Sequence, residues 1–288
     1  MSLNVRFSRE ITIAVRKSLP IEKGGLTLYP ITMADYDDYV ICKDALTILQ
    51  ASLPAKYLGF DYMSALFAMA MDEAQGTLDF SNGSAASSPG LKLAFQRVLR
   101  LLQLSLRVSE KEIADIASDI VYTKNEFDEL SIDHIVIHQN GKDVNLTPSV
   151  FSQVIRPLIA FQNAIELPDE TANPDLINES KKYKKDADGV KLKPDVDDLI
   201  ASVAYLSHVS AAEILTWTVR EFEYRARAIE RDKRYMLCAQ AETSGLASFE
   251  KGNPAPSWFY DADIDSLGTT SLSELGKKLG GAGVKQQS

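Results

Sequence analysis

The chain has 288 residues, of which 45% are hydrophobic and 25% charged, and a formal net charge of -9 at pH 7. This balance belongs to a folded globular protein rather than a disordered or fibrous one, and the length suits one large domain or two smaller ones. An acidic mean field does not attract a phosphate backbone, so nucleic acid is not an expected partner. The longest strongly apolar run, Met63 to Met71, falls far short of the roughly 20 residues that cross a bilayer, and no membrane is expected either. The first residues alternate polar and apolar without an export-type apolar run. Cys42 and Cys238 are the only thiols, too few for a disulfide framework or a thiolate zinc site. A reducing cytoplasm is the expected compartment.

In chain order, Leu3 to Leu28 alternates with period two around Gly24-Gly25, which predicts two or three short strands. Thr32-Met33-Ala34-Asp35 has the spacing of a helix cap, and a helix is expected from about Met33 to Gln50, stopped by Leu53-Pro54. Further helices are predicted near Tyr62 to Met71 and from Pro89 to Arg107, the second capped by Ser88 and burying Leu91, Phe95, Val98, Leu99, Leu102 and Leu106. Ser109 with Glu112 reads as another capping box, and Asn140-Gly141 within SIDHIVIHQNGKDVNLT as the turn of a β-hairpin. Thr147-Pro148 opens a helix to about Ala164, with Val150, Phe151, Val154, Ile155, Leu158 and Phe161 inward and a kink at Pro157.

Between Glu166 and Pro194 apolar periodicity gives way to Pro, Asp and Lys, the composition of a linker. A helix from Asp195 to Ser207 follows, then one capped at Ser210 with Glu213, then a long helical pattern to about Ser244, where Gly245 is a natural stop. Its apolar face carries Trp217, Phe222, Ala226, Ile229, Met236 and Leu237. The reading is an α+β chain, predominantly α-helical, with short N-terminal strands and a central β-hairpin. It divides into an N-terminal α+β domain (1–167), a polar linker (168–194), a helical C-terminal domain (195–260) and a flexible tail (261–288).

Residues able to carry chemistry are placed for structural roles instead. His134 and His138 would meet on a helix, but on the expected strand they lie about 13 Å apart, too far to chelate one ion. His208 follows a helix end, where a capping or dipole role suits it. The acid runs Asp35 to Asp38 and Asp195 to Asp198 fall at helix starts, where negative charge is favoured. Asp261, Asp263 and Asp265 alternate like a calcium loop but lack its glycine and its terminal acid. No G-x-S-x-G elbow or phosphate-binding glycine motif is present; Gly280-Gly281-Ala282-Gly283 lies in the tail, and Lys181 to Lys185 in the linker among acids. No catalytic residue, cofactor site or metal site is expected, and the chain is read as non-enzymatic.

Three stretches carry a resemblance: LTLYPITMADYDDYVICKDALTILQASLPAKY, LIASVAYLSHVSAAEILTWTVREFEYRARAIERDKRYMLCAQAE and GNPAPSWFYD. Together, over about half the chain, they resemble proteins encoded in the tail modules of long-tailed phages and prophages of Gram-positive bacteria. The resemblance implies a tail-assembly chaperone that coats the tape-measure protein in the host cytoplasm and helps tail tube subunits polymerise on it. It implies a homo-oligomer with the tape-measure protein, and the tail tube protein besides, as partners. A longer frameshifted form could then begin near the C-terminal GKKLGG. The alternative it leaves is a structural virion component such as a head-tail connector or tail protein. Helix-in-groove recognition would use apolar and aromatic side chains, and the candidates are Trp217, Phe222, Tyr224 and Trp258, each with burial in the protein's own core as the other reading.

Overall fold

The computed structural model describes residues 7–75, 93–108, 119–124, 130–168, 195–244 and 257–258. These form a helix-dominated α+β fold with a two-stranded sheet and a three-stranded antiparallel sheet. No helix among the described residues is long and apolar enough to cross a membrane.

The first element corrects the expected leading strand. Arg9–Arg16 is helix α1, because Ser8 accepts from the Ile11 amide at 3.3 Å, Glu10 sits in the first turn and Arg16 in the last. Short polar-apolar alternation is compatible with either period, and here the capping chemistry decides; Ile13 is 40% exposed. The strands are β1 (Ile21–Lys23) and β2 (Leu26–Leu28), joined through Gly24 and Gly25 at φ +60 and +81, where a side chain would be strained.

The helix expected from Met33 to Gln50 is broken. A 3-10 turn at Met33–Asp35 leads into α2 (Tyr36–Cys42), followed by 3-10 turns at Lys43–Leu46 and Gln50–Ser52. Thr32 does not cap it: its hydroxyl donates to Asp35 at 3.3 Å while its backbone pairs with Thr218. Helix α3 (Tyr62–Ala74) is as expected, buried along most of its length. Helix α4 begins at Ala94 and runs to Leu106, preceded by Leu93 at φ +63, a backbone that cannot continue a helix from Pro89. Ser88, Pro89 and Leu91, like the Ser109-Glu112 pair, lie outside the described residues.

The hairpin at Asn140-Gly141 is present, both residues at positive φ, between β4 (Leu130–Gln139) and β5 (Lys142–Leu146). A strand that the sequence pattern did not reveal, β3 (Ile120–Lys124), adds to β4 with a register shift at Val121/Tyr122. Pro148 occupies the first turn of α5 (Pro148–Val150), where Thr147 accepts from the Val150 amide, and a π segment at Phe151–Ile155 carries the chain into α6 (Arg156–Gln162). The wider π turn takes up Pro157, which has no amide to donate, so the helix is rewound there. Phe151, Ile155 and Leu158 are buried as expected, whereas Val150 is exposed.

Asp195 caps α7 (Val196–Ser207) by accepting from Asp197, His208 at φ +57 ends it, and Ser210 caps α8 (Ala211–Ile214) through the Glu213 amide. The long helix, α9, is Val219–Thr243, entered directly from Thr218, which is bridged to Thr32. Met33 donates to the Trp217 carbonyl and Val219 to the Ile31 carbonyl, each at 2.9 Å.

The chain groups into two compact units. The first combines Met1–Pro174 with Pro194–Arg225, and the second comprises Asp175–Lys193 and Ala226–Ser288. The pairing of Thr32 with Thr218 lies within the first unit. The core of this unit lies where α3 packs on β4 and α4 on α2 and β2. Buried amide side chains join its layers. Gln139 reaches from β4 to bond both the amide and the carbonyl of Thr27, each at 2.8 Å, and Asn163 accepts from the Ile31 amide at 2.9 Å. Residues 169–194 of the linker, with the basic run at 181–185, and the tail lie outside the described residues.

Candidate functional site

A cleft of about 650 Å³ opens where the end of α1 meets the first turns of α9. Its floor follows from capping. The Thr218 hydroxyl accepts from the Glu221 amide at 3.2 Å, satisfying a free donor of the helix start, and lies 3.4 Å from the Ser18 hydroxyl. Ser18 itself turns the chain away from α1 at φ +54.

The walls are charged. Arg16 and Lys17 stand on one side, and Arg220, Glu221, Tyr224 and Arg225 on the other. Arg220 donates to the Phe161 carbonyl at 2.7 Å and to the Tyr224 hydroxyl at 3.1 Å, with its guanidinium centre 4.7 Å from the Tyr224 ring. Arg225 pairs with Glu221 at 2.7 Å, one helical turn earlier, and lies over the Trp217 ring at 4.0 Å. Arg16 and Lys17 were missed by the sequence reading, because a stretch taken as a strand hid their position at a helix end; the adjacent cations after an amphipathic run were the available signal.

Phe222 and Tyr224 fall in the first turns of α9 and Trp217 just before it, in different settings. Trp217 and Phe222 are core residues, 7% and 1% exposed, and Phe222 makes an edge contact with Tyr36. Tyr224 is 52% exposed and lines the cleft. Trp258, 50% exposed, belongs to the second unit, where its carbonyl accepts from Arg231 at 3.2 Å.

Two histidines elsewhere have local partners. His134 and His138 both lie on β4 as expected. His134 Nδ1 is 2.7 Å from Asp133, and His138 Nδ1 is 2.7 Å from Asp143, its cross-strand neighbour, with Asp119 at 3.7 Å from the other ring nitrogen. Hydrogen bonding to Asp143 outweighs desolvation and raises the His138 pKa above its ordinary value. A raised histidine stabilises the fold fully below its unfolded pKa of about 6.5 and loses that contribution as pH climbs through the folded value. We therefore expect the thermal midpoint of wild type to exceed that of His138→Gln in mildly acidic buffer and the two to converge in alkaline buffer. A gap that widens with pH would contradict the assignment.

Asp37 and Asp38 occupy the first turn of α2, where Asp38 also pairs with Arg100, and Asp197 and Asp198 the first turn of α7. Burial, and then the Asp38 charge, push the Cys42 thiol up against the opposing effect of Arg97 and Arg100, which keeps it protonated and a poor nucleophile. Among the described residues no group of three or more His, Cys, Asp or Glu side chains is arranged to hold a metal ion. Asp261, Asp263, Asp265 and the glycines at 280–283 lie outside them. Compared with known proteins, the chain matches no family model, no curated protein and no solved structure.

Proposed function

We propose that this protein is a non-enzymatic phage tail morphogenesis factor, a tail-assembly chaperone that binds the tape-measure protein. Beside the resemblance of its three sequence stretches, one observation carries the reading. In the part of α9 that belongs to the second unit, the side chains Met236 and Leu237 of the apolar face are 49% and 67% exposed. Neighbouring residues on that face, Ala226 and Ile229, are half-buried. A long helix with an outward apolar strip is what a chaperone needs to hold another helix in solution, because contacts spaced by three, four and seven residues can interdigitate with a partner of the same period. Polar arginines and carboxylates around the strip keep the free protein dispersed.

Co-expression with the tape-measure protein of the same phage tests this. A soluble complex is expected, and Met236→Asp with Leu237→Asp should weaken it by about tenfold or more, since charges would be buried without partners. Both positions are exposed, so the fold should tolerate the change to within about 0.5 kcal/mol. A tape-measure protein that stays insoluble and uncomplexed alongside the wild-type chain would end the proposal.

A further inference from the structure

The walls of the cleft at the start of α9 bring four cationic side chains, Arg16, Lys17, Arg220 and Arg225, to face the single carboxylate of Glu221, in a chain whose formal net charge is -9. Two of the four are already engaged. Arg220 is fixed by the Phe161 carbonyl and Tyr224, and Arg225 by Glu221 and the Trp217 ring. Arg16 and Lys17 are exposed, and their side chains have no hydrogen bond or ion pair among the described residues. Four cations against one carboxylate give the recess a net positive lining in an acidic chain, and concave walls focus such a field.

We propose that this cleft is a docking site for an acidic peptide segment of a partner protein, with Arg16 and Lys17 receiving its carboxylates. Glu221 seated on Arg225 at 2.7 Å demonstrates the geometry in which a carboxylate is held by this lining. A guanidinium presents parallel donors to a carboxylate, and an ammonium adds a second point charge. The half-exposed Tyr224 ring on the opposite wall offers an apolar surface to a side chain adjoining the bound acid. A long phosphate backbone fits less well: beyond the few cations of the cleft it would run along an acidic protein, and extended cationic tracks are what such polymers require. The preference for carboxylates holds whichever partner supplies them, so it stands apart from the tape-measure reading.

The test is fluorescence anisotropy of a labelled oligoglutamate peptide against the full-length protein at low ionic strength. Binding is expected, weakened by about tenfold or more in Arg16→Glu with Lys17→Glu and by a smaller factor in Arg16→Gln with Lys17→Gln. Lys23→Glu with Lys142→Glu makes the same change in formal charge at exposed positions that do not line the cleft; it should alter affinity by less than about twofold at a moderate salt concentration. Thermal melts of each variant confirm that folding is retained, and the glutamine pair provides the comparison if the glutamate pair is destabilised. The proposal is overturned if wild type does not bind the peptide, if the control pair weakens binding as much as the cleft pair, or if oligothymidylate binds as tightly and loses as much on mutating Arg16 and Lys17.

Discussion

Replacing Phe222 with alanine should lower the free energy of unfolding by about 3–5 kcal/mol, measured by urea or thermal denaturation. Its ring is 1% exposed and meets Tyr36 edge-on within the first unit, with centroids 5.9 Å apart. Truncation removes both the transfer free energy of the ring and the contacts of the atoms left lining the void. In a protein of ordinary stability, about 5–15 kcal/mol, that is a large share of the total. Tyr224→Ala, two residues along the same helix but half exposed, is the reference and should change stability by less than about 0.5 kcal/mol. Magnitude therefore separates the two aromatic residues, both of which the family resemblance had offered as candidate partner contacts. A loss below about 1 kcal/mol for Phe222→Ala would show that this part of the core is not packed as described.

Asn163→Leu should cost about 2–4 kcal/mol, although the substituted side chain has similar bulk and is apolar. Asn163 is fully buried; its carbonyl accepts from the Ile31 amide at 2.9 Å, and its amide donates to the Ile159 carbonyl at 2.8 Å. Leucine satisfies neither: the Ile159 carbonyl keeps the Asn163 backbone amide at 3.2 Å and loses one of two donors, whereas the Ile31 amide is orphaned, at a cost of about 1–3 kcal/mol, with about 1 kcal/mol more for the lost second bond. The damage also extends beyond one residue, because the Ile31 carbonyl is the acceptor for Val219. Hydrogen exchange should accordingly accelerate at Ile31 and Val219 more than in β4. Unchanged protection at Ile31 would mean that its amide finds another acceptor and that Asn163 is not the strut described.

What was legible in the sequence was mostly local chemistry. Asn140-Gly141 gives its hairpin because both residues can take positive φ, and Ser210, Asp195 and Thr147 cap the helices they precede because their oxygens reach free amides one turn on. The π segment before Pro157 was foreseen only as a kink, since the sequence marks the missing amide but not how the helix rewinds around it. The long-range contacts were not legible. Nothing about Gln139 in isolation says that it will bond Thr27, and nothing about Thr32 says that it will pair with Thr218 instead of capping a helix. The same limit hid the cleft: Arg16-Lys17 and Arg220-Arg225 meet only through the fold, while the exposed Tyr224 could be nominated from its place on a helix pattern.

The pairing of residues 31–33 with 217–219 imposes an order on biosynthesis. The N-terminal strand-and-helix region supplies one side of this bridge early in translation, but the other side reaches it only after Val219 has cleared the ribosome. Until then, Ile31 and Met33 lack backbone partners that the finished molecule provides, and the segment that will cover them is still being made. Closing so long a loop carries an entropic cost that shorter contacts avoid and is characteristic of slower steps in folding. The first unit is thus completed by a late part of the chain, so an N-terminal fragment ending before that point, even one longer than half the protein, carries an unfinished edge rather than a smaller version of the same fold.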